Sequence, residues 1–219
     1  ARRVQETIIP KSVEREKISV DVEYVPIQET GGDVGIIVEH AVDRFDVVVG
    51  DVTGHGMGAA LVVNRAHMLL SQIEWTRAPF DALFHRLDYL FAQEIADIGI
   101  FMTIMACRFD LAAMTVEYGG GGHPAAIHCR PSEDRVTRLE SRCGILGTGN
   151  PWCDEPPVAT LAVKSGDFVV LFTDGLNEAT DREGKQFGRE RLEETVRKAA
   201  RNGGDGKGIA RSLAEAAKN

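Results

Sequence analysis

Three aspartates stand where strand-like segments run into glycine-rich turns. They are Asp33 in ETGGDVG, Asp51 in VVVGDVTGHG and Asp174 in VVLFTDGLNEA. Asp51 and Asp174 each follow a run of β-branched or aromatic residues, and glycine follows soon after. A stiff strand holds its last side chain at a fixed place on the sheet edge, and glycine allows a carbonyl or a substrate to approach closely.

This arrangement is suited to hard divalent cations. Mg²⁺ and Mn²⁺ prefer carboxylate, carbonyl and water oxygens. Two such ions, about 3.5–4 Å apart, activate a water molecule for attack on phosphorus. An aspartate at such a junction also commonly starts a turn or caps a helix. The residues and their spacing leave both interpretations open.

The elements that position these residues alternate between strands and helices in an irregular order. Period-two alternation predicts a strand over residues 17–24, and two more strands are expected over 35–39 and 45–49. Residues 58–73 are apolar on most sides and predict a helix packed on a sheet. A second helix is expected from an apolar stripe with spacings of three and four, formed by Phe80, Leu83, Phe84, Leu87, Leu90, Phe91 and Ile95.

The second half of the chain returns to strands before it ends in helices. We predict a loop over 119–122, because four consecutive glycines hold regular structure poorly. Residues 158–163 and 167–172 predict a hairpin turning at 164–166. Further strands are expected over 100–109, 114–118, 125–129 and 136–139, and helices over 189–201 and 209–218. This order differs from strict β-α alternation and predicts an α+β fold, a layered α-β-β-α sandwich of two mainly antiparallel sheets flanked by helices.

Composition narrows the range of functions. The chain has 219 residues, a net charge of −8 and 43% hydrophobic residues, which are values typical of one globular domain. The acidic balance argues against a nucleic-acid partner, and no apolar run is long enough to insert into a membrane. No export signal is evident, so we expect a cytoplasmic location. The four cysteines are widely spaced, and we expect buried or idle thiols.

Several blocks of sequence resemble one known family. GGD, DVTGHGMGAAL, GGGGHPAAI, GDFVVLFTDGLNEA and FGRERL follow one another in order. Together they are similar to the type 2C metal-dependent protein phosphatases, and in particular to the bacterial branch of the sporulation stage II E and stress-response phosphatases of partner-switching systems. The similarity extends over most of the chain. The DVTGHG and TDG-x-x-E blocks are its most specific parts.

The resemblance implies a function and a ligand set. Asp51 would bridge two Mn²⁺ or Mg²⁺ ions, the Val52 carbonyl would bind one of them and Asp174 would bind the second. Asp33 would hold a metal-bound water. A metal-bound hydroxide would then attack phosphoserine or phosphothreonine directly, without a phosphoenzyme. The implied substrate is a small phosphorylated regulator of the anti-anti-sigma type.

Two histidines lie within these blocks. His55 in DVTGHG is a candidate general acid for the leaving serine oxygen, since histidine titrates near neutral pH. A structural role in the turn is the competing interpretation. For His123 in GGGGHPAA we expect a turn-stabilising role and not a metal ligand.

The sequence also departs from the family pattern. Val34-Gly35-Ile36 replace the aromatic and acidic residues usual after GGD, and a metal-binding D-D-x-T segment expected on a final strand is not found before Asn219. We predict a phosphatase domain over 17–219 without its last strand. We also predict that residues 1–16 are the end of an N-terminal linker helix. An upstream sensor or coiled coil is expected, and so is a homodimer through the N-terminal helix.

Other functions remain open on sequence grounds. Residues 54–59 satisfy the dinucleotide pattern G-x-G-x-x-A, but Asp51 would repel a pyrophosphate and the strands downstream are not βαβ. GGD also matches part of a cyclic-dinucleotide synthase signature, with Val-Gly in place of Glu-Phe. The main alternative from another class is a phosphatase-like binding module without activity.

Overall fold

The computed structural model describes residues 8–25, 31–54, 57–73, 79–95, 100–148, 153 and 157–218. Within these residues the fold is α+β, with antiparallel sheets flanked by helices, as predicted from the sequence. The chain divides into two compact units, which we describe in turn. The first comprises Ala1–Pro10, Pro26–Ala125 and Glu140–Ala162, and the second Lys11–Val25, Ala126–Leu139 and Val163–Asn219.

The first unit is built on a five-stranded antiparallel sheet. Its strands, in spatial order, are β3 Asp33–Ala41, β4 Arg44–Val52, β5 Met102–Asp110, β6 Thr115–Gly121 and β9 Ala159–Ala162. Helices α1 (Met57–Gln72) and α2 (Phe80–Ile95) pack together and contact β3, β4 and β6.

One face of this sheet forms an apolar core with the two helices. Val48 and Val52 of β4 and Ile104 of β5 belong to the same buried cluster as the apolar faces of the helices. The predicted apolar stripe of α2 lies in this cluster: Phe80, Leu83, Phe84, Leu87 and Phe91 are buried, and Leu90 is partly buried. Side chains alternate between the faces of a strand, so Asp51 lies on the face opposite to Val52.

The second unit contains a three-stranded sheet in the order β10-β7-β8 and three helices. Its core is formed by side chains such as Ile127, Leu192 and Leu213, which are almost fully buried. Its strands are β1 Val13–Glu14, β2 Ser19–Val20, β7 Ala126–Arg130, β8 Arg135–Leu139 and β10 Phe168–Val170, and β1 and β2 form a separate ribbon. Its helices are α3 Asp174–Asn177, α4 Gly188–Arg201 and α5 Gly206–Ala217.

The glycine run of the first unit differs from its prediction. The glycine run was expected to be a loop, but Gly119, Gly120 and Gly121 continue β6. Gly119 and Gly120 pair with β5, and a Cβ on Gly119 would overlap the ring of Phe84. These glycines are therefore in regular structure because neighbouring side chains occupy the space that larger residues would need.

The expected hairpin over 158–172 is also wrong. The turn exists, since the Asp167 N–H donates to the Lys164 carbonyl at 3.0 Å. The strands on either side of it have different partners, however: β9 pairs with β6, and β10 pairs with β7. Of the strand expected over 17–24, only Ser19–Val20 forms, paired with Val13–Glu14.

The predicted linker helix concerns residues that are only partly described. Residues 1–7 lie outside the described ranges, and residues 8–16 contain the short strand β1. The boundary between residues 16 and 17 stays a prediction. None of the helices in the described ranges is both long and apolar enough to cross a bilayer.

The cysteines divide into two pairs with different states. Cys107 and Cys129 are buried free thiols, as expected. Burial, with a smaller contribution from Asp46, raises the pKa of Cys107 to about 12, so this thiol stays protonated and inert. Cys143 and Cys153 are joined by a disulfide, contrary to the expectation of idle thiols. An antiparallel bridge between the two residues, ten positions apart, brings them together.

Candidate metal centre

The hairpin of β3 and β4 brings two of the predicted aspartates together. Asp33 is the first residue of β3 and is paired directly with Asp51 near the end of β4. Directly opposite residues point to the same face of a sheet, with Cβ atoms about 4.5–5.5 Å apart. Both side chains are half-buried. Two carboxylates thus lie side by side where β3 begins and β4 ends. Like charges at this distance repel each other unless a cation lies between them.

The surroundings of Gly32 show that the Val52 carbonyl oxygen lies near a carboxylate oxygen of Asp51. A Cβ on Gly32 would overlap both Asp51 Oδ1 and the carbonyl oxygen of Val52. The position is fixed by the backbone, because the Val52 N–H donates to the Gly32 carbonyl at 3.0 Å. Glycine at this position therefore leaves one small space that a carboxylate oxygen and a main-chain oxygen share.

The donors around this space fit a hard divalent cation. Asp33, Asp51 and the Val52 carbonyl offer only oxygen atoms, which Mg²⁺ and Mn²⁺ prefer. Among the described residues, no group of three or more His, Cys, Asp or Glu side chains is arranged to hold a metal ion. Two carboxylates and one carbonyl suit an ion that keeps several waters, since Mg²⁺ is usually bound through one or two carboxylates.

The turn that follows β4 is held in place by hydrogen bonds. The Thr53 N–H donates to the Phe101 carbonyl at 2.9 Å, and the Phe101 N–H donates to Thr53 Oγ1 at 3.1 Å. Gly54 then adopts a φ of +108°, which favours glycine. These contacts fix the end of β4 and hence the position of Asp51. His55, the candidate general acid, lies outside the described residues.

Asp174 belongs to the second unit. It is the first residue of the short helix α3, which begins four residues after β10 ends. Its side chain is exposed, and its main-chain carbonyl accepts a hydrogen bond from the Glu178 N–H at 2.8 Å. The sequence placed Asp174 at the end of a strand, whereas the strand ends at Val170 and Asp174 starts a helix. The assignment of Asp174 to a second metal stays a prediction.

One polar neighbour of Asp51 had no sequence motif to reveal it. Thr103 on β5 is paired directly with Asp51, so Asp33, Asp51 and Thr103 form one row across three strands. His123 extends this row, because its Nδ1 lies 2.8 Å from Thr103 Oγ1. Strand register places these residues together, and nothing in the local pattern around Thr103 indicates it.

The sequence of this chain matches a known family and several known proteins. Residues 41–219 match the family model for stage II sporulation protein E (SpoIIE). The chain is 22% identical over 185 residues to the phosphoserine phosphatase RsbU of Bacillus subtilis, a match that covers 84% of this chain and 54% of RsbU. It is 26% identical over 131 residues to the phosphoserine phosphatase RsbP of the same organism, covering 58% of this chain and 32% of RsbP. The chain therefore spans from about a third to about half of these curated relatives.

The fold is similar to that of a solved phosphatase domain. The SiaA-PP2C domain of Pseudomonas aeruginosa superposes with a TM-score of 0.72 at 22% identity, covering 87% of this chain and 76% of that domain. The fold expected from the resemblance drawn from the sequence blocks is thus confirmed. By the family model, which matches most of its length, this chain belongs to the SpoIIE family.

Proposed function

We propose that this chain carries the catalytic centre of a metal-dependent protein serine/threonine phosphatase. The observation that carries the proposal is the convergence of Asp51 Oδ1 and the Val52 carbonyl beside Gly32, with Asp33 directly opposite Asp51. Membership of the SpoIIE family and the similarity to two phosphoserine phosphatases support it.

Each residue of the centre has a distinct role in this proposal. Two Mn²⁺ or Mg²⁺ ions, when bound, would supply Lewis-acid activation of water and neutralise charge on the phosphate. Asp51 and the Val52 carbonyl would hold the ions at the rigid end of β4, and Asp33 would orient a water molecule. Pairing of β4 with both β3 and β5 keeps the Asp51 carboxylate in one position, which lowers the reorganisation required during the reaction.

Asp174 is the proposed ligand of the second ion. It follows the apolar segment that contains β10, and its exposed carboxylate is available to a cation. Substitution by asparagine keeps the size of the side chain and removes its charge. We expect Asp174→Asn to weaken Mn²⁺ binding at the second site, as measured by titration calorimetry.

His55 is proposed to protonate the leaving oxygen of the substrate serine. General acid catalysis contributes about 10²–10⁴-fold and matters most for a poor leaving group. His55→Ala should therefore slow hydrolysis of a phosphoserine protein and leave hydrolysis of a small aryl phosphate nearly unchanged. Equal losses with both substrates would assign His55 to the structure of the turn and not to proton transfer.

The proposed substrate is a small phosphorylated regulator of the anti-anti-sigma type in the cytoplasm. This part of the proposal rests on the partner-switching branch that the sequence blocks resemble. A protein-sized substrate also agrees with a centre whose aspartates, Asp33 and Asp51, are partly exposed. Candidate phosphoproteins from the same genome can be tested for release of phosphate by the intact protein.

The deciding experiment measures phosphate release from a phosphoserine protein with Mn²⁺ or Mg²⁺ and with excess chelator. We expect activity with metal, loss of activity with chelator, and loss in Asp51→Asn. Asp43→Asn is a matched control, because it removes the same charge from the turn at the other end of the β3–β4 hairpin. Activity that persists in excess chelator would exclude the metal mechanism. A folded protein that binds the phosphoprotein without hydrolysing it would favour the inactive binding module.

A further inference from the structure

His123 is buried and held by hydrogen bonds to both its backbone and its ring. The side chain lies beside Thr103, with 2.8 Å between Nδ1 and Oγ1, and the residue is only 5% exposed. The His123 N–H donates to Ser141 Oγ at 3.0 Å, and Ser141 Oγ donates to the His123 carbonyl at 2.7 Å. Main chain and imidazole are thus fixed together.

The glycine run before His123 makes this arrangement sterically feasible. A Cβ on Gly120 would overlap Ser141 Oγ, and a Cβ on Gly122 would overlap the side chain of Ile145. Gly122 also has a φ of +62°, which turns the chain out of the strand just before His123. The glycines therefore admit the 141–145 segment, and that segment fixes His123 beside Thr103.

Thr103 stands between His123 and the candidate metal centre. It is paired directly with Asp51, so the two side chains share a face with Cβ atoms about 4.5–5.5 Å apart. A threonine hydroxyl has one proton to donate and two lone pairs to accept with. When His123 donates its Nδ1 proton to Thr103 Oγ1, the threonine proton remains available for the Asp51 carboxylate.

We propose that His123 and Thr103 are positioning residues of the metal centre, connected in the order His123 Nδ1–H, Thr103 hydroxyl, Asp51 carboxylate. This inference rests on the proposed function, since it requires Asp51 to bind metal. The carboxylates that bind metals are generally oriented by hydrogen bonds from neighbouring residues, and loss of such a partner costs about 10–100-fold in metal affinity or activity. The connection assigns the imidazole the tautomer with its proton on Nδ1.

Matched variants at Thr103 test the connection directly. Thr103→Val keeps the shape and removes the hydroxyl, whereas Thr103→Ser keeps the hydroxyl. We expect Thr103→Val to weaken Mn²⁺ binding by about 10–100-fold and Thr103→Ser to bind nearly as wild type. Binding is measured on the full-length protein by titration calorimetry and by electron paramagnetic resonance of free Mn²⁺, neither of which depends on turnover.

Variants at His123 test the order of the connection. Asparagine offers an amide donor near the position of Nδ1, whereas leucine offers none. We expect His123→Asn to retain most of the Mn²⁺ affinity and His123→Leu to lose as much as Thr103→Val. The double variant His123→Leu/Thr103→Val should be no worse than Thr103→Val alone, because residues that act through one another are not additive.

The outcomes separate this inference from the proposed function. If Asp51→Asn weakens Mn²⁺ binding and Thr103→Val does not, the centre stands and the connection is wrong. If Asp51→Asn leaves Mn²⁺ binding unchanged, both the centre and the connection are wrong. Should His123→Leu fail to fold, as judged by a melting curve, the pair Thr103→Val and Thr103→Ser decides, because equal affinities in that pair overturn the inference.

Discussion

Strands β3, β4 and β5 carry two acidic clusters, one on each face and near opposite ends of the same sheet. On the face covered by the helices, Asp46 is fully buried and accepts two hydrogen bonds of 2.8 Å from Arg108. His40 Nε2 lies 2.9 Å from Asp46 Oδ2. The Arg108 guanidinium in turn lies 4.8 Å from the centre of the Phe80 ring. This acid is neutralised by a cation that belongs to the chain.

On the other face, Asp33 and Asp51 are arranged in the opposite way. They are half-buried, they are paired with each other across the strands, and the Val52 carbonyl lies beside Asp51. Directly opposite like charges are destabilising in a sheet. The pairing of Asp33 with Asp51 places two like charges opposite each other, whereas Asp46 is paired with the opposite charge of Arg108.

Burial and the neighbouring side chains therefore differ between aspartates of the same sheet. A buried carboxylate needs a positive partner with good geometry, and Arg108 provides it in bidentate form. A carboxylate at the partly exposed edge can bind an ion from solution. We expect substitutions at the two clusters to separate folding from metal binding.

The largest effect is expected from Asp51→Asn. If Asp51 bridges the metal ions as proposed, its loss should lower turnover by more than about 100-fold, which is the upper end of the loss caused by removing an outer hydrogen-bond partner. Without metal, the stability of the same variant measures the balance between the repulsion of Asp33 and Asp51, which is relieved, and the other contacts of Asp51, which are changed. Steady-state kinetics and urea denaturation in chelator measure the two effects. A variant that is less stable in chelator would show that Asp51 serves the fold.

The opposite pattern is expected from Asp46→Asn. Breaking a buried ion pair by removing one partner costs about 3–5 kcal/mol of unfolding free energy, because Arg108 is left without its counter-charge. Urea denaturation measures the loss, and Mn²⁺ affinity of the folded fraction should be unchanged.

The double variant Asp46→Leu/Arg108→Met is the control for this prediction. Apolar residues of similar volume often replace a buried ion pair without loss. Recovery of most of the stability is therefore expected. No recovery would show that the cluster has a role beyond mutual neutralisation.

A smaller effect is expected from the metal itself. Ligand bound only to the folded state stabilises it by about 2.7 kcal/mol at a concentration 100 times its Kd. Mn²⁺ should raise the melting temperature of wild type and of Asp46→Asn by similar amounts, and should not raise that of Asp51→Asn. A rise in all three would place the bound ion elsewhere.

The smallest effect concerns Asp167, which extends the comparison to the second unit. Its side chain is 4% exposed, and it accepts hydrogen bonds of 2.8 Å from both His128 Nε2 and Arg130 Nη2. Burial by itself raises the pKa of Asp167, but the hydrogen bonds from Arg130 and His128 outweigh it and hold the pKa below its ordinary value of 3.8.

A lowered pKa in the folded state fixes the sign of the pH dependence. The stabilisation from ionised Asp167 is fully present above pH 3.8 and is lost as the pH falls through the lowered value. The unfolding free energy of wild type should fall as the pH is lowered below 3.8. The fall should be shallower in Asp167→Asn, and an equal fall would assign the acid sensitivity to other carboxylates.

Much of the candidate site follows from local sequence. The apolar run before Asp51 determines a strand, and the glycines that follow determine where it ends, so Asp51 was placed correctly at the end of β4. The apolar stripe of α2 likewise follows from the helical period of residues 80–95 alone. These features depend on residues a few positions apart.

Other features depend on which strand pairs with which. Residues 164–167 form a turn as predicted, but the strands on either side join different sheets, since a turn does not specify a partner. The glycines of β6 show the same limit. Low strand propensity is outweighed there by pairing with β5 and by the close approach of Phe84.

The sequence by itself determined the fold class, the position of Asp51 near the end of β4 and the family that its motifs resemble. The tertiary structure alone decided the pairing of Asp33 with Asp51, the ion pair between Asp46 and Arg108, and the contact of His123 with Thr103. The physical reason is the separation along the sequence over which each effect acts. Propensity and periodicity act over a few residues, whereas strand register joins residues 18 to 62 positions apart, and a shift of one residue would turn each side chain to the other face.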